Sequence, residues 1–203
     1  MHLELFVEEP SAEFALRALV PRIGGPDLTF EVYPFQGKAN LLANLPSRLR
    51  AYARWIPPDW RILVLLDADL QDCRVIKKEM DDIARSAGLR IKADTGEWRE
   101  AQVLNRIAIE ELEAWFLGDV EALCTAYPKV PASLAQKKTY RDPDAIRGTW
   151  ETLEMVLQRA GYHAGGLSKI KAAREISIHM DPARNRSRSF QAFRDGLLAL
   201  VTG

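Results

Sequence analysis

Three short acidic groupings hold the side chains with the most chemistry to offer. Glu8 and Glu9 follow "LELFV", Asp67 and Asp69 follow "RILVLL", and Glu111 and Glu113 sit in "IEELEAW". Carboxylates two residues apart at the end of an apolar run either cap the next helix or hold a cation. Several gathered in one volume repel one another, and one stays protonated unless a cation relieves the conflict. Their oxygens suit hard Mg²⁺, which keeps waters and phosphate oxygens among its ligands. Each group also has a plain reading. Asp69 would be an N-cap, Glu8 and Glu9 solvated turn residues, and Glu111 a favourable charge at a helix N-terminus.

The elements that must position these groups follow from periodicity and punctuation. "HLELFVEE" (2–9) reads as a strand, and a helix follows with Ser11 as N-cap. "LTFEVYPF" (28–35) has strand character, and "KANLLANLPSRLRAYARW" is helical, interrupted or restarted at Pro46. "WRILVLLDAD" is apolar almost throughout, as a parallel strand buried on both faces must be. "LQDCRVIKKEMDDIARSAG" fits an amphipathic helix ending at Gly88. "LRIKAD" and "QVLNRIAI" read as further short strands. "EELEAWFLGDVEALCTAY" reads as one helix with Leu112, Trp115, Phe116, Val120 and Leu123 on its apolar side. On that wheel Glu110 lies opposite the stripe, while Glu111 and Glu113 flank it, with Glu111 leaning toward the sheet.

Strands alternating with helices predict an α/β fold, a mostly parallel sheet flanked by helices. Ligands of such sheets bind beyond the carboxyl ends of the strands. Neighbouring strands lie about 5 Å apart, so Glu8 and Asp67 face one small volume if their strands are adjacent. After Pro128 the character changes to an irregular connection and three helical stretches, roughly 144–160, 168–178 and 188–201. The expected organisation is an α/β core over 1–127 with a helical, basic extension over 128–203 packed on it.

The 203 residues are 47% hydrophobic with zero formal net charge, which suits a globular chain with a substantial core. No run is long enough for a membrane span, and "MHLELFVEEP" has no signal-peptide pattern. Cys73 and Cys124 form no CxxC and read as reduced cytoplasmic thiols. The zero charge hides an asymmetry. Residues 1–127 hold 15 Lys+Arg against 21 Asp+Glu, and residues 128–203 hold 13 against 7. Such a split suits a cation site beside a polyanion surface; the alternative is scatter between two solvated surfaces. "RNRSRSF" offers Arg184, Arg186 and Arg188, "KKTYR" offers Lys137 and Lys138, and "SKIKAAR" offers Lys169 as nucleic-acid backbone contacts. Lys38 in "FQGKAN" stands near a helix start, a reasonable anion site. The competing reading is a solubilising surface, or arginines paired to the acidic half. "GYHAGGLSK" has the wrong spacing for a P-loop, and the three histidines have no ligand spacing.

Taken together these segments resemble the Toprim fold, in which one strand ends in Glu and a later one in Asp-x-Asp. They resemble more closely a bacterial Toprim-like family, domain of unknown function 4276. The matching segments are "VEEPSAE" (7–13), "GKANLL" (37–42), "LLDADLQDC" (65–73), "EELEAWFLGD" (110–119) and "SRSFQAF" (187–193). The resemblance implies a Mg²⁺- (or Mn²⁺-) dependent nuclease. Asp67 and Asp69 match its metal pair, Glu8 its general base or second ligand, and Glu111 a further ligand, with Glu113 the second Glu of that segment. Glu9 departs from the pattern, standing where the family usually has Gly. Hydrolysis is favoured over strand passage because no tyrosine nucleophile can be assigned. The resemblance also implies an ATPase partner and a role in phage defence. Two alternatives stay open. One is a non-catalytic nucleic-acid-binding or regulatory subunit of an ATPase complex. The other is phosphoryl transfer through Asp67, disfavoured because Gln71 stands where such enzymes usually have Thr or Val.

Overall fold

The structure, a computed structural model, describes residues 1–203. Strands β1 (His2–Val7), β2 (Thr29–Pro34), β3 (Trp60–Asp67) and β4 (Val103–Ala108) form one sheet in the order β2-β1-β3-β4. All three pairings are parallel. Helix α1 (Pro10–Gly24) joins β1 to β2. Helix α2 (Lys38–Tyr52) then carries the chain back across β1 to β3, and α3 (Cys73–Ser86) follows β3. The strand order therefore reverses between β1 and β3, and in sheets of this kind ligands bind in the crevice at the carboxyl ends of the strands at that point.

β1 and β3 are buried on both faces, which is why they contain so few polar residues. Leu3, Leu5, Val7, Leu63 and Leu65 point into one core; Phe6, Ile62, Val64 and Leu66 point into the other. The second core is closed by α2 and α3, through Leu41, Leu45, Leu49, Ile76 and Met80. The first is closed by α1 and by the helices after β4: α5 (Glu113–Leu117), α6 (Val120–Ala126), α7 (Thr149–Arg159), α8 (Lys169–Ser177) and α9 (Arg188–Thr202). It runs continuously from Leu3 to Leu200, so the C-terminal helices share a core with the sheet. No helix is long and apolar enough to cross a membrane, and Cys73 and Cys124 are free and half-buried.

Four local expectations need correction. "LRIKAD" is not a strand: Ile91 makes one isolated bridge to Val103, and Lys92–Thr95 form a single helical turn, α4. The 110–127 segment is not one helix. Glu110 takes φ 60°, and the chain breaks again at Gly118-Asp119, where the Asp119 side chain caps α6 by accepting from the Ala122 N–H at 3.1 Å. Helix α2 runs through Pro46 without restarting, held by the leucines on either side. Ser11 is not an N-cap; Glu9 precedes the helix, and the Ser11 hydroxyl donates to Glu9.

A polar clasp closes the C-terminal layer. The Asp119 side chain is fully buried and accepts both Nε (2.8 Å) and Nη2 (3.0 Å) of Arg184, and the Asp181 N–H at 2.8 Å. Asn185 donates to the Trp115 carbonyl at 2.7 Å. Ser187 caps α9, and with Ser189 it donates to Asp144. Arg184 is partly exposed and keeps Glu121 as a partner, so the cost of losing Asp119 lies in the α6 cap and the buried Asp181 N–H it leaves unpaired. Asp119→Ala should cost about 2 kcal/mol, read as a lower urea midpoint with an unchanged slope.

Candidate metal centre

Each strand end at the crevice delivers one acidic group. The Val7–Leu65 register brings the end of β1 beside the end of β3, and the Asp67 N–H donates to Glu8 Oε2 at 3.2 Å. The β3–β4 ladder continues past both strands: the Ala68 N–H reaches the Ala108 carbonyl at 2.8 Å, and the Asp69 N–H the Glu110 carbonyl at 2.7 Å. Asp69 (φ 49°) and Glu110 (φ 60°) both adopt left-handed backbone, a conformation L-residues take at some cost. That pair of turns fixes the Asp-x-Asp loop against the segment carrying Glu111 and Glu113. Asp69 is not the cap of α3; Asp72 is, accepting from the Arg74 N–H at 2.8 Å.

Glu113 shapes the site more than Glu111 does. The break at Glu110 makes Glu111 a turn residue: its Oε2 accepts from Thr149 Oγ1 (3.0 Å) and the Trp150 N–H (2.8 Å), at the start of α7. Glu110 takes the neighbouring donors, Arg147 at 2.7 Å and the Gly148 N–H at 3.0 Å. Glu113 turns inward. Its side chain is 1% exposed, and neither carboxylate oxygen has a hydrogen-bond partner. A signal for this existed in the sequence, since Glu113 is the one charge inside the apolar run "LEAWFL".

Two lysines reach into the acids. Lys169, the first residue of α8, holds its Nζ 3.7 Å from Glu111 Oε1 and 3.8 Å from both Glu9 Oε1 and Glu113 Oε2. Lys38, the first residue of α2, donates to Asp69, with Gln71 Oε1 at 3.4 Å. Glu9, at the position where the resembled family has Gly, is thus a partner of Lys169. In this conformation no three His, Cys, Asp or Glu side chains group closely enough to hold one ion. The lysine ammoniums provide the positive charge instead.

The electrostatics record the crowding. Burial, then the charges of Glu113, Glu8 and Glu9, push Asp67 well above the usual carboxylate range, with Lys169 opposing. Burial raises Glu113 to about 7, against the pull of Lys169 and with a further push from Glu111. Burial also raises Glu8, against the Asp67 N–H and Lys38. For Lys169, burial works against the ammonium, but Glu113, Glu9, Glu111 and Asp67 outweigh it and raise its pKa.

Glu113 gives the fold a pH dependence. Its folded value lies above its ordinary 4.5, so across that window the folded chain holds a proton that the unfolded chain has released. Stability from this group is present at low pH and is lost as pH rises toward 7, an effect of roughly 3 kcal/mol at most. Glu113→Gln should remove that loss, making the metal-free variant more stable than wild type at pH 8 but not at pH 4.5. Urea melts in EDTA at the two pH values check it; identical pH dependence in both proteins would show that folding leaves the Glu113 pKa where it is in the unfolded chain.

The proposed phosphate contacts scatter. Lys38 and Lys169 lie inside the acidic crevice. Arg184 is committed to Asp119 and Glu121, and Arg186 donates to the Ala135 carbonyl at 3.1 Å. Lys137 and Lys138 are exposed on a separate turn, and Arg188 is exposed at the start of α9. A family model described as Domain of unknown function (DUF4276) matches residues 7–198. No curated protein and no solved structure matches the chain.

Proposed function

Because the chain belongs to the family described as domain of unknown function DUF4276, an activity must be argued from the site, and we propose a divalent-cation-dependent phosphodiesterase acting on nucleic acid. One observation carries this reading: Glu113 is buried with both oxygens unpartnered, beside Asp67 and Glu8 at the point where the strand order reverses. A buried carboxylate with no hydrogen-bond donor is costly, and around it stand other carboxylates, offset by the Lys169 ammonium at 3.8 Å. The donor set is all oxygen, which fits Mg²⁺ or Mn²⁺. Asp67 and Glu113 would hold the ion once their side chains close on it and Lys169 gives way, with Glu8 beside it and Asp69 and Glu111 at its margin. When bound, such an ion stabilises charge on a phosphoryl oxygen and acidifies a ligated water.

The chain's own residues supply the rest. Glu8 has its carboxylate oriented by the Asp67 N–H and its basicity raised by burial, which suits it to take a proton from the attacking water. Lys38 orients Asp69. Lys169 offers an ammonium to a phosphate oxygen. No tyrosine hydroxyl bonds to these carboxylates, so direct hydrolysis is the step proposed. The Toprim resemblance supports the same class.

A second reading has one observation in its favour. The two ammoniums already offset the acids, as in a non-catalytic binding or regulatory subunit of an ATPase complex. The deciding experiment incubates the purified chain with plasmid and single-stranded substrates, with and without Mn²⁺, alongside calorimetric Mn²⁺ titration. Cleavage that requires the ion supports the hydrolase. Neither ion binding nor cleavage overturns it in favour of the subunit.

A further inference from the structure

A groove of about 910 Å³ lies along the β4 side of the sheet, next to the carboxylates. One wall is α3, carrying Arg74; the floor is β4, with Arg106 and Ile107; the other wall is 142–145 and the first turn of α9, with Arg188. β4 is last in the strand order, so its outer edge has no strand neighbour. Cys73 begins α3 just after the Asp-x-Asp loop, and Ile109 leads from β4 to Glu110; both line the groove. It therefore opens at the same end of the sheet as the acids and runs from there along the strand edge.

The charges in this groove are unequal. Six cationic side chains line it against three carboxylates; Lys77, Lys78 and Arg85 are paired with acids of α3 and Asp94, and two of the three carboxylates are engaged as well. Asp81 bonds Lys77 and Asn105, and Asp144 bonds Ser187 and Ser189. Arg74 and Arg188 are exposed and make no ion pair. Arg106 is half-buried; it donates to the carbonyls of Ala192 at 2.9 Å and Asn105 at 3.1 Å and lies over the Trp98 ring, with no carboxylate partner. Three guanidiniums from three separate elements thus face one groove without a carboxylate partner. Guanidinium forks match phosphate geometry, while Ile107, Ile109 and Ala192 offer an apolar floor to sugars and base faces.

We propose that this groove binds a single strand of nucleic acid through its phosphates and leads it to the carboxylate crevice. The destination rests on the phosphodiesterase reading; the binding does not. The volume is that of a ligand-sized cleft, with room for one sugar–phosphate strand and not for two paired ones. A protein strand added along β4 is the competing occupant, but its uncharged main chain would leave all three guanidiniums without a charged partner.

The test is fluorescence anisotropy with a labelled single-stranded oligonucleotide in EDTA, at several salt concentrations. Arg74→Glu/Arg188→Glu is compared with Arg50→Glu/Arg54→Glu, which reverses two exposed arginines at the far end of α2. Circular dichroism melts confirm that each variant folds. The groove variant should bind at least about tenfold more weakly, and its log K against log salt slope should flatten by ~1.4, two single-strand phosphate contacts at ~0.7 each. The control should stay within about twofold of wild type. Equal loss in both variants, no loss in the groove variant, no wild-type binding, or tighter binding of a duplex overturns the proposal. EDTA keeps cleavage out of the readout, so a chain that binds here yet never cuts would sink the hydrolase and leave the groove standing.

Discussion

An Asp67→Asn chain should fold as the wild type does and lose cation-dependent cleavage on the order of a thousandfold. That is the scale for removing one electrostatic stabiliser of a transition state, about 4 kcal/mol. Asparagine keeps the shape of the side chain and leaves the N–H to Glu8 in place. Stability should move the other way. The folded-state pKa of Asp67 is raised by burial and by Glu113, Glu8 and Glu9. Its charge therefore weakens the fold increasingly as pH climbs above the ordinary Asp range. In EDTA at pH 8 the variant should melt no lower than wild type, and Mn²⁺ should raise the wild-type melting temperature but not the variant's. A variant that melts well below wild type in EDTA would show Asp67 to be a structural residue, and its lost cleavage would then carry no mechanistic weight.

Lys169→Met should act in the opposite sense. It deletes the ammonium lying within 4 Å of Glu9, Glu111 and Glu113 and retains much of the stem. Breaking a fully buried pair costs roughly 3–5 kcal/mol, and the 30% exposure of Lys169 brings the expectation down to about 2 kcal/mol at pH 8 in EDTA. A divalent ion should then restore what the lysine supplied. An ion at about a hundred times its dissociation constant contributes ~2.7 kcal/mol, enough to bring the variant back to the metal-free wild type. The variant should also bind Mn²⁺ more tightly than wild type, since no ammonium competes for the same oxygens. Differential scanning fluorimetry across a Mn²⁺ series reads both effects. A destabilised variant indifferent to Mn²⁺ would mean that these acids serve only to hold the lysine.

The sheet is legible in the sequence because buried parallel strands tolerate so few polar residues, and β1 and β3 announce themselves that way. Their adjacency is not: strand order depends on which helices cover which face, and the meeting of Glu8 with Asp67 follows only once β3 is seen beside β1. "LRIKAD" misleads because its Leu and Ile do fill core positions, Leu89 and Ile91, while the backbone between them and β4 makes a single bridge. The 110–127 segment misleads because its apolar spacing continues across Gly118-Asp119, a stop followed by a cap. Reading one helix there placed Glu111 toward the sheet and concealed Glu113. Lys169 is unreadable locally. A lysine on an amphipathic helix is normally solvated, and only the packing of α8 on α1 brings its first residue among the acids.

The clasp that joins Arg184, Asn185 and Ser187 to Asp119, Trp115 and Asp144 bears on how the chain emerges during synthesis. The core above β1 and β4 stays open until Phe190, Phe193 and Leu197 arrive on α9. A nascent chain halted before residue 184 would hold its strands and its acids without the layer that covers them. Such a product presents apolar surface to chaperones and proteases. A chain truncated before residue 184 should therefore be degraded instead of persisting as a shortened protein with its acids in place.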